Sequence, residues 1–143
     1  MSSQIIHSPR APQALGPYPH ARRVGNLLFI SGMGPRRKGE KNVPGNELDA
    51  SGRVARYDIE AQCRAVFENV RVVLEDSGSS WDRLVDVTVF LTDLERDWAT
   101  YNRVYEEYFG AVKPCRTTVG VARLPGPIAI ELKCIATLPD GPR

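Results

Sequence analysis

The chain has 143 residues, of which 42% are hydrophobic and 25% are charged, and its formal net charge is +2. This composition is ordinary for a soluble globular protein, and the length suits a single domain over residues 1–143 with a sizeable core. The small charge argues against a nucleic-acid partner, and no run of about 18 apolar residues exists to span a bilayer, so we expect no membrane partner.

The first residues and the cysteines indicate the compartment. No basic region followed by an apolar stretch opens the chain, so we expect no signal peptide. The three cysteines are odd in number, widely spaced and form no C-x-x-C pair: Cys63, Cys115 and Cys134. This pattern predicts neither a disulfide framework nor a metal site, and it favours a reducing cytoplasm.

The N-terminal third combines an arm, a rigid loop and a strand. Residues 1–12 are polar and read as a flexible arm, while the prolines around Tyr18 force an extended path that presents this ring on a loop. Tyr18 is equally compatible with packing and with substrate contact. The apolar run from Val24 to Ser31 predicts a strand, and Gly32 after it allows close approach of a ligand or backbone.

Residues 33–51 read as a long surface loop rich in glycine, proline and basic side chains. A solvated loop is the simpler interpretation. The functional alternative is that one of its arginines, with Arg37 as the candidate, reaches the far end of an elongated diacid.

The middle of the chain predicts a helix, a strand and a second helix. Apolar residues over 57–77 form one helical stripe, and Gly78 follows as a stop signal. Residues 84–92 alternate as a strand with one strongly apolar face. Residues 96–109 form an aromatic stripe from Trp98 to Phe109, which we interpret as core packing.

The C-terminal part, residues 113–136, predicts two strands joined by a Pro/Gly-rich turn from Leu124 to Pro127. Arg116 lies at the entry of the first, and its guanidinium suits two-point contact with a carboxylate. Glu131 lies mid-strand among apolar residues, where a buried carboxylate is costly unless it has a role. We expect these two strands to be adjacent, which would let the pair handle a small organic acid, although a structural ion pair is the commoner explanation.

The predicted order is β-β-β-α-β-α-β-β, an α+β arrangement. Two helices cover only one face of such a sheet, and the C-terminal strand carries apolar residues on both of its faces. An uncovered apolar face implies a partner subunit, so we expect a homo-oligomer.

Separated motifs occur in an order that resembles the Rid family, also called the YjgF family. They cover nearly the whole chain from about residue 12 to about residue 138, which makes the match specific. The segments are Gly16-Pro-Tyr18, Leu28-Phe-Ile-Ser-Gly32, 86–94, 101–109, Pro114-Cys-Arg116-Thr-Thr-Val119 and Ile130-Glu-Leu-Lys-Cys-Ile-Ala136. Two further segments resemble the 2-aminomuconate deaminase branch: Pro19-His20-Ala-Arg-Arg23 and Ser31-Gly-Met-Gly-Pro-Arg-Arg37.

The resemblance implies a chorismate-mutase-like α+β domain with two helices on one face of a mixed sheet. It also implies a homotrimer with ligand clefts between neighbouring subunits. The implied reaction is hydrolysis of 2-aminomuconate, an enamine, to 4-oxalocrotonate and ammonia. This reaction involves no redox change and no carbon–carbon cleavage, so no metal or organic cofactor is expected.

The resemblance also assigns roles to individual residues. Arg116 would clamp the substrate carboxylate, and Glu131, with a pKa raised by burial, would position water or shuttle protons. The other positions that match the cleft lining are Tyr18, Ser31, Gly32, Asn102 and Thr118, with His20 and Arg37 as further candidates. Thr118 replaces a cysteine of many relatives, and its backbone carbonyl would face the substrate amine. Met33-Gly34 also departs from the common pattern, which leaves substrate size open.

Three alternatives remain at this stage. The first is a general deaminase of 2-imino acids and 2-aminoacrylate, and the second is a regulatory module that binds a metabolite without chemistry. The third is an RNA-acting protein, against which the near-neutral charge and the lack of a basic stripe both count.

Overall fold

A six-stranded mixed sheet with two helices on one face forms the body of the chain, as described by a computed structural model over residues 3–139. The sheet strands are β1 (Ser3–Ile6), β2 (Ala21–Val24), β3 (Leu27–Met33), β6 (Leu84–Leu91), β7 (Cys115–Gly120) and β8 (Ile130–Thr137). A separate two-stranded ribbon pairs β4 (Glu47–Leu48) with β5 (Val54–Arg56) inside the predicted long loop. The predicted element order is confirmed for the main sheet.

The two helices begin at aspartate caps, as their sequences dictate. The Asp58 carboxylate accepts hydrogen bonds from two backbone N–H groups at the start of α1 (Ile59–Asp76), and Asp93 accepts one at the start of α2 (Leu94–Phe109). Gly78, with φ of 84°, turns the chain after α1. Both helix predictions are confirmed to within two residues at each end. Neither helix in residues 3–139 is long and apolar enough to cross a bilayer.

The sheet has one face packed on the helices and one face open. On β8, Ile130, Leu132, Cys134 and Ala136 are fully buried, whereas the alternating residues from Glu131 to Thr137 point away from the helices and are partly exposed. Phe29, Phe90 and Ile135 lie on this second face and are half-buried, while Leu27 and Val119 are exposed. The prediction that the helices leave a partly apolar sheet face uncovered is therefore confirmed.

The strand order corrects one prediction about the C-terminal strands. The sheet runs β1-β2-β3-β8-β6-β7, so β8 lies between β3 and β6, and β7 pairs in parallel with β6 at the edge. Strands β7 and β8 are therefore not a hairpin, although a Pro/Gly segment joins them. Arg116 and Glu131 lie two strands apart rather than on adjacent strands.

The segment expected to be a flexible arm contacts the domain at several points. Strand β1 pairs antiparallel with β2, and Ser8 and Ala11 are buried. The Ser8 hydroxyl donates to the Asp76 carboxylate at the end of α1, and Arg10 forms an ion pair with the same carboxylate at 2.7 Å. Sheet pairing and contacts with α1 thus hold this segment from residue 3 onward, while residues 1 and 2 of the predicted arm lie outside the described residues.

Candidate functional site

Several of the predicted site residues line one cavity of about 360 Å³ at the end of β3. Tyr18 and His20 enter from the N-terminal loop, Ser31 and Gly32 from β3, and Glu131 from β8. The segment from Pro125 to Ile128 closes the opposite side. Five of the predicted residues are therefore brought together by three different parts of the chain.

A β-bulge at Ser31 and Gly32 shapes the floor of this cavity. The register between β3 and β8 pairs Ile30 with Cys134 and Met33 with Leu132, so two β3 residues lie opposite the single residue Lys133. Bulges of this kind locally break the ladder and redirect side chains. Here the Lys133 ammonium donates a hydrogen bond of 2.7 Å to the Ile30 carbonyl, next to the break.

Gly32 makes room for the Glu131 carboxylate. A Cβ at residue 32 would lie 3.1 Å from Oε2 and 3.2 Å from Cδ of Glu131, which is tighter than an ordinary contact. Burial raises the pKa of Glu131 above its ordinary value, and no other cause contributes. Glu131 belongs to no ion pair within residues 3–139. Its carboxyl group is thus half-desolvated and without a charged partner.

The polar groups around Glu131 are mostly occupied in holding the N-terminal loop. The Ser31 hydroxyl donates to the Pro19 carbonyl at 2.6 Å, and the Ser31 N–H donates to the His20 carbonyl. His20 Nδ1 accepts from the Ser8 N–H at 2.9 Å, and Nε2 lies 2.7 Å from the Pro12 carbonyl. Because Nδ1 accepts a hydrogen bond, Nε2 is the nitrogen that donates, and its acceptor is the Pro12 carbonyl. Both ring nitrogens therefore have backbone partners. His20 lines the cavity with both ring nitrogens engaged by the backbone, and its role toward a substrate stays a prediction.

Arg116 lies in a second, shallower recess between β7 and α2, together with Thr118. Its Nη1 donates to Asn102 Oδ1 at 2.8 Å, and its guanidinium lies 4.5 Å from the centroid of the Tyr105 ring. These contacts hold the fork without neutralising its charge, and Arg116 forms no ion pair within residues 3–139. The Thr118 hydroxyl is instead hydrogen-bonded to the Tyr101 hydroxyl at 2.8 Å.

Trp98 lines the recess of Arg116, a placement that the sequence pattern does not predict. The aromatic stripe of α2 predicts core packing, and this is confirmed for Tyr101, Tyr105 and Phe109, which are buried. Trp98, however, is 41% exposed, lines the recess of Arg116, and lies 5.5 Å from the guanidinium. Its ring lies beside residues of β7, so its place in the recess follows from the position of that strand and not from the helical spacing.

Within one chain, the side chains of Arg116 and Glu131 face opposite sides of the sheet. Arg116 is in register with Val87, which points toward the helices, and Glu131 is in register with Phe90, which points to the open face. The two strands that carry them are separated by β6, a lateral distance of about 10 Å. One chain therefore does not bring Arg116 and Glu131 onto a common ligand.

The basic loop contributes Arg36 rather than the predicted Arg37. Arg36 lines the cavity of Glu131, and its Nη2 donates to the Gln13 carbonyl at 2.9 Å. Arg37 is exposed and does not line this cavity. The Asn69 amide on α1 donates to the carbonyls of Gly34 and Arg36, and this contact sets the path of the loop here.

The cysteines add nothing to either recess. Cys63 and Cys134 are fully buried, as predicted for core residues, and Cys115 is exposed on the sheet face opposite Arg116. Within residues 3–139, no cluster of three or more His, Cys, Asp or Glu side chains is arranged to hold a metal ion.

Alanine at position 32 is expected to displace the Glu131 carboxylate. The added methyl group must push Oε2 away by a few tenths of an ångström, while the backbone of Gly32 needs no left-handed conformation. Small misplacements of a reacting group lower rates, so we expect Gly32→Ala to reduce the kcat of the activity proposed below by about tenfold. Steady-state kinetics and thermal unfolding measure this together. An unchanged kcat with a lowered Tm would contradict the interpretation.

Comparison with known proteins gives a consistent result. The Endoribonuclease L-PSP family matches residues 8–138. A RutC family protein of Pyrococcus abyssi is 39% identical over 137 residues, which are 95% of this chain and 98% of that protein. "Reactive Intermediate Deaminase A, chloroplastic" of Arabidopsis thaliana is 34% identical over 96% of this chain and 67% of its own length.

Solved structures agree with the fold. E. coli TdcF with bound serine superposes with a TM-score of 0.80 at 34% identity, covering 94% of this chain and 98% of that chain. The YjgF gene product of E. coli gives the same TM-score, identity and coverage. The fold, the family match over residues 8–138 and these relatives together show that the chain belongs to the Rid/YjgF (L-PSP) family.

Proposed function

We propose that this protein hydrolyses enamines and imines of small carboxylic acids to 2-oxo acids and ammonia. The observation that carries the proposal is the pair of unneutralised groups in the two recesses. Arg116 is held by Asn102 and by aromatic rings but has no carboxylate partner, and Glu131 has a raised pKa beside a cavity. The family includes a relative named as a reactive intermediate deaminase, which supports the same chemistry.

The reaction needs few groups. An enamine becomes an imine when its carbon takes a proton from solvent and its nitrogen loses one. Water then adds to C2, and ammonia leaves from the tetrahedral carbinolamine to give the 2-oxo acid. In this scheme the Arg116 fork binds the carboxylate next to C2. Glu131 orients the water, takes one proton from it as it adds to C2, and passes this proton to the imine nitrogen to give the carbinolamine. It then takes the proton of the carbinolamine hydroxyl and passes it to the same nitrogen, which leaves as ammonia. The carboxylate is regenerated after each transfer.

We further propose that two copies of the chain complete each site, within a homotrimer. Arg116 and Glu131 face opposite sides of the sheet in one chain, so a ligand that contacts both requires the β7 edge of one copy beside the Glu131 cavity of another. The partly apolar open face of the sheet provides a surface for such contact. Closed symmetry would repeat the same shared site at each interface.

Arg36 favours a dicarboxylate as the substrate, and 2-aminomuconate is the one we propose. A cation that lines the cavity on the loop after β3 gives the distal carboxylate of a six-carbon diacid a partner. The alternative is a general deaminase of 2-imino acids and 2-aminoacrylate, in which Arg36 only supports the loop.

The substrate choice is tested with Arg36→Ala and the matched control Arg37→Ala. Loss of a charge-assisted contact to the distal carboxylate should raise the KM for 2-aminomuconate about tenfold or more. The KM for 2-iminopropanoate, which has no second carboxylate, should stay within about twofold because its single carboxylate contacts Arg116. Both substrates are generated in place and ammonia release is followed. Equal effects on both substrates would favour the general deaminase.

A metabolite-binding module without chemistry is a further competitor. It predicts that the purified wild-type protein binds 2-oxo acids but releases ammonia from 2-iminopropanoate and 2-aminomuconate no faster than buffer. That result would remove the deaminase proposal and leave the family assignment intact.

A further inference from the structure

One side of the Glu131 cavity is formed by a short irregular stretch, residues 125–128, called here the wall segment. It contains Gly126, with φ of 83°, and its one internal hydrogen bond joins the Ile128 N–H to the Gly126 carbonyl. The Ile128 side chain reaches across to Gly34, where a Cβ would come within 3.0 Å of it. The wall segment therefore sets the width of the cavity between β8 and the loop after β3.

A relay of side-chain hydrogen bonds, formed by Gln62 and Asn46, ties this wall to helix α1. Gln62 on α1 is fully buried, and its Oε1 accepts the Ala129 N–H at 2.8 Å. Its Nε2 donates to Asn46 Oδ1 at 2.8 Å, and Asn46 Nδ2 in turn donates to the Pro127 carbonyl at 2.7 Å. Both ends of the Gln62 amide and both ends of the Asn46 amide are thus engaged. A buried amide is costly unless it is paired in this way.

The Glu131 strand has restraints that do not depend on the relay. Strand β8 is held on both sides by β3 and β6, and the Ala129 carbonyl accepts the Thr92 N–H just before the strand. Pro127 lacks a backbone N–H, and its carbonyl is held by Asn46 alone among the described contacts of this residue. Loss of the relay should loosen the wall while the Glu131 carboxylate keeps its place.

We propose that Asn46 and Gln62 are positioning residues that fix the wall segment and so set which substrate lengths the Glu131 cavity accepts. This inference rests on the proposed deaminase function. A three-carbon imino acid places only its reacting end near Glu131 and does not reach the wall. A six-carbon substrate fills the cavity and contacts the wall, so its binding depends on the relay.

The test compares Asn46→Ala and Asn46→Asp with the control Asn42→Ala, an exposed asparagine of the same loop. Neither Asn46 variant can donate to Pro127, while Gln62 keeps its bond to Ala129. We expect the KM for 2-aminomuconate to rise roughly fivefold, and both kcat and KM for 2-iminopropanoate to stay within about twofold. A purely structural role would instead lower activity on both substrates together and reduce Tm. Equal effects on both substrates, or no difference from Asn42→Ala, would overturn the inference.

A second measurement tests the positioning role of the relay independently of the proposed deaminase activity. Amide hydrogen exchange of Ile128 and Ala129 reports the wall directly, whether or not the protein is active. We expect faster exchange at Ile128 in both Asn46 variants and at Ala129 in Gln62→Met, with exchange in β8 unchanged. Unchanged exchange at all these amides would overturn the positioning role. If the wild-type protein is inactive but exchange is faster in the variants, the deaminase proposal and the substrate-length role are both removed. Only the restraint of the wall segment by the relay then stands.

Discussion

Glu131→Gln should lower the kcat for hydrolysis of 2-iminopropanoate by about 10²–10⁴-fold and leave KM within about threefold. The amide has the shape of the carboxyl group, so it still fits against Gly32, but it cannot take a proton from water. Arg116, which binds the substrate carboxylate in the proposed scheme, is unchanged. Steady-state kinetics of the variant and the wild type measure the split between kcat and KM.

The pH dependence provides the second readout of the same variant. Burial raises the pKa of Glu131, so the carboxylate is lost as the pH falls through a value above that of a free glutamate. The wild-type kcat should therefore decline on the acid side at that pH, and Glu131→Gln should lack this limb. Glu40→Gln, in the exposed loop, is the matched control and should keep the wild-type profile. An acid limb that persists in Glu131→Gln would assign the proton transfer to another group.

Mixing two inactive variants should restore activity. When Arg116→Ala and Glu131→Gln chains are co-expressed in equal amounts, sites that pair the intact arginine of one chain with the intact glutamate of the other become complete. Random assembly makes about a quarter of the interfaces complete, so we expect about a quarter of the wild-type activity. The physical reason is that these side chains face opposite sides of the sheet in one chain.

The control for this experiment uses the double variant. A mixture of Arg116→Ala chains with chains that carry both substitutions contains no arginine at position 116, so it should remain inactive. If Arg116→Ala and Glu131→Gln together give only the sum of their separate activities, then each site lies within one chain and the shared-site proposal is wrong. Native mass spectrometry of the co-expressed protein, which resolves the mass difference between the two chains, verifies that mixed oligomers have formed.

Local periodicity made the helices and the single strand between them predictable. The stripe over residues 57–77 became α1 because its apolar residues recur at helical spacing and Asp58 supplies a cap. Strand pairing was not predictable in the same way. The Pro/Gly segment before Ile128 looks like a hairpin turn, yet β8 pairs with β3 and β6, which lie far away in sequence. Pairing of this kind depends on contacts that no local pattern contains.

The site residues divide along the same line. Glu131, Ser31 and Gly32 were predicted from motifs, and they meet because β3 and β8 are neighbours. Arg36 was missed in favour of Arg37, since consecutive residues of an irregular loop have no period that fixes their directions. The helical spacing of the aromatic stripe predicts that Trp98 lies in the core. Its exposure beside Arg116 depends on the position of β7, which the stripe does not contain.

The extra residue in β3 has a consequence for stabilising this protein by design. Ile30 and Met33 both point inward although two residues separate them, so deletion of either intervening residue would leave a regular strand with the same inward side chains. Idealised strands are generally the more stable ones, which makes this shortening attractive to a designer. It would also abolish the niche that receives the Glu131 carboxylate. We therefore expect such a deletion to raise thermostability at the expense of the proposed activity.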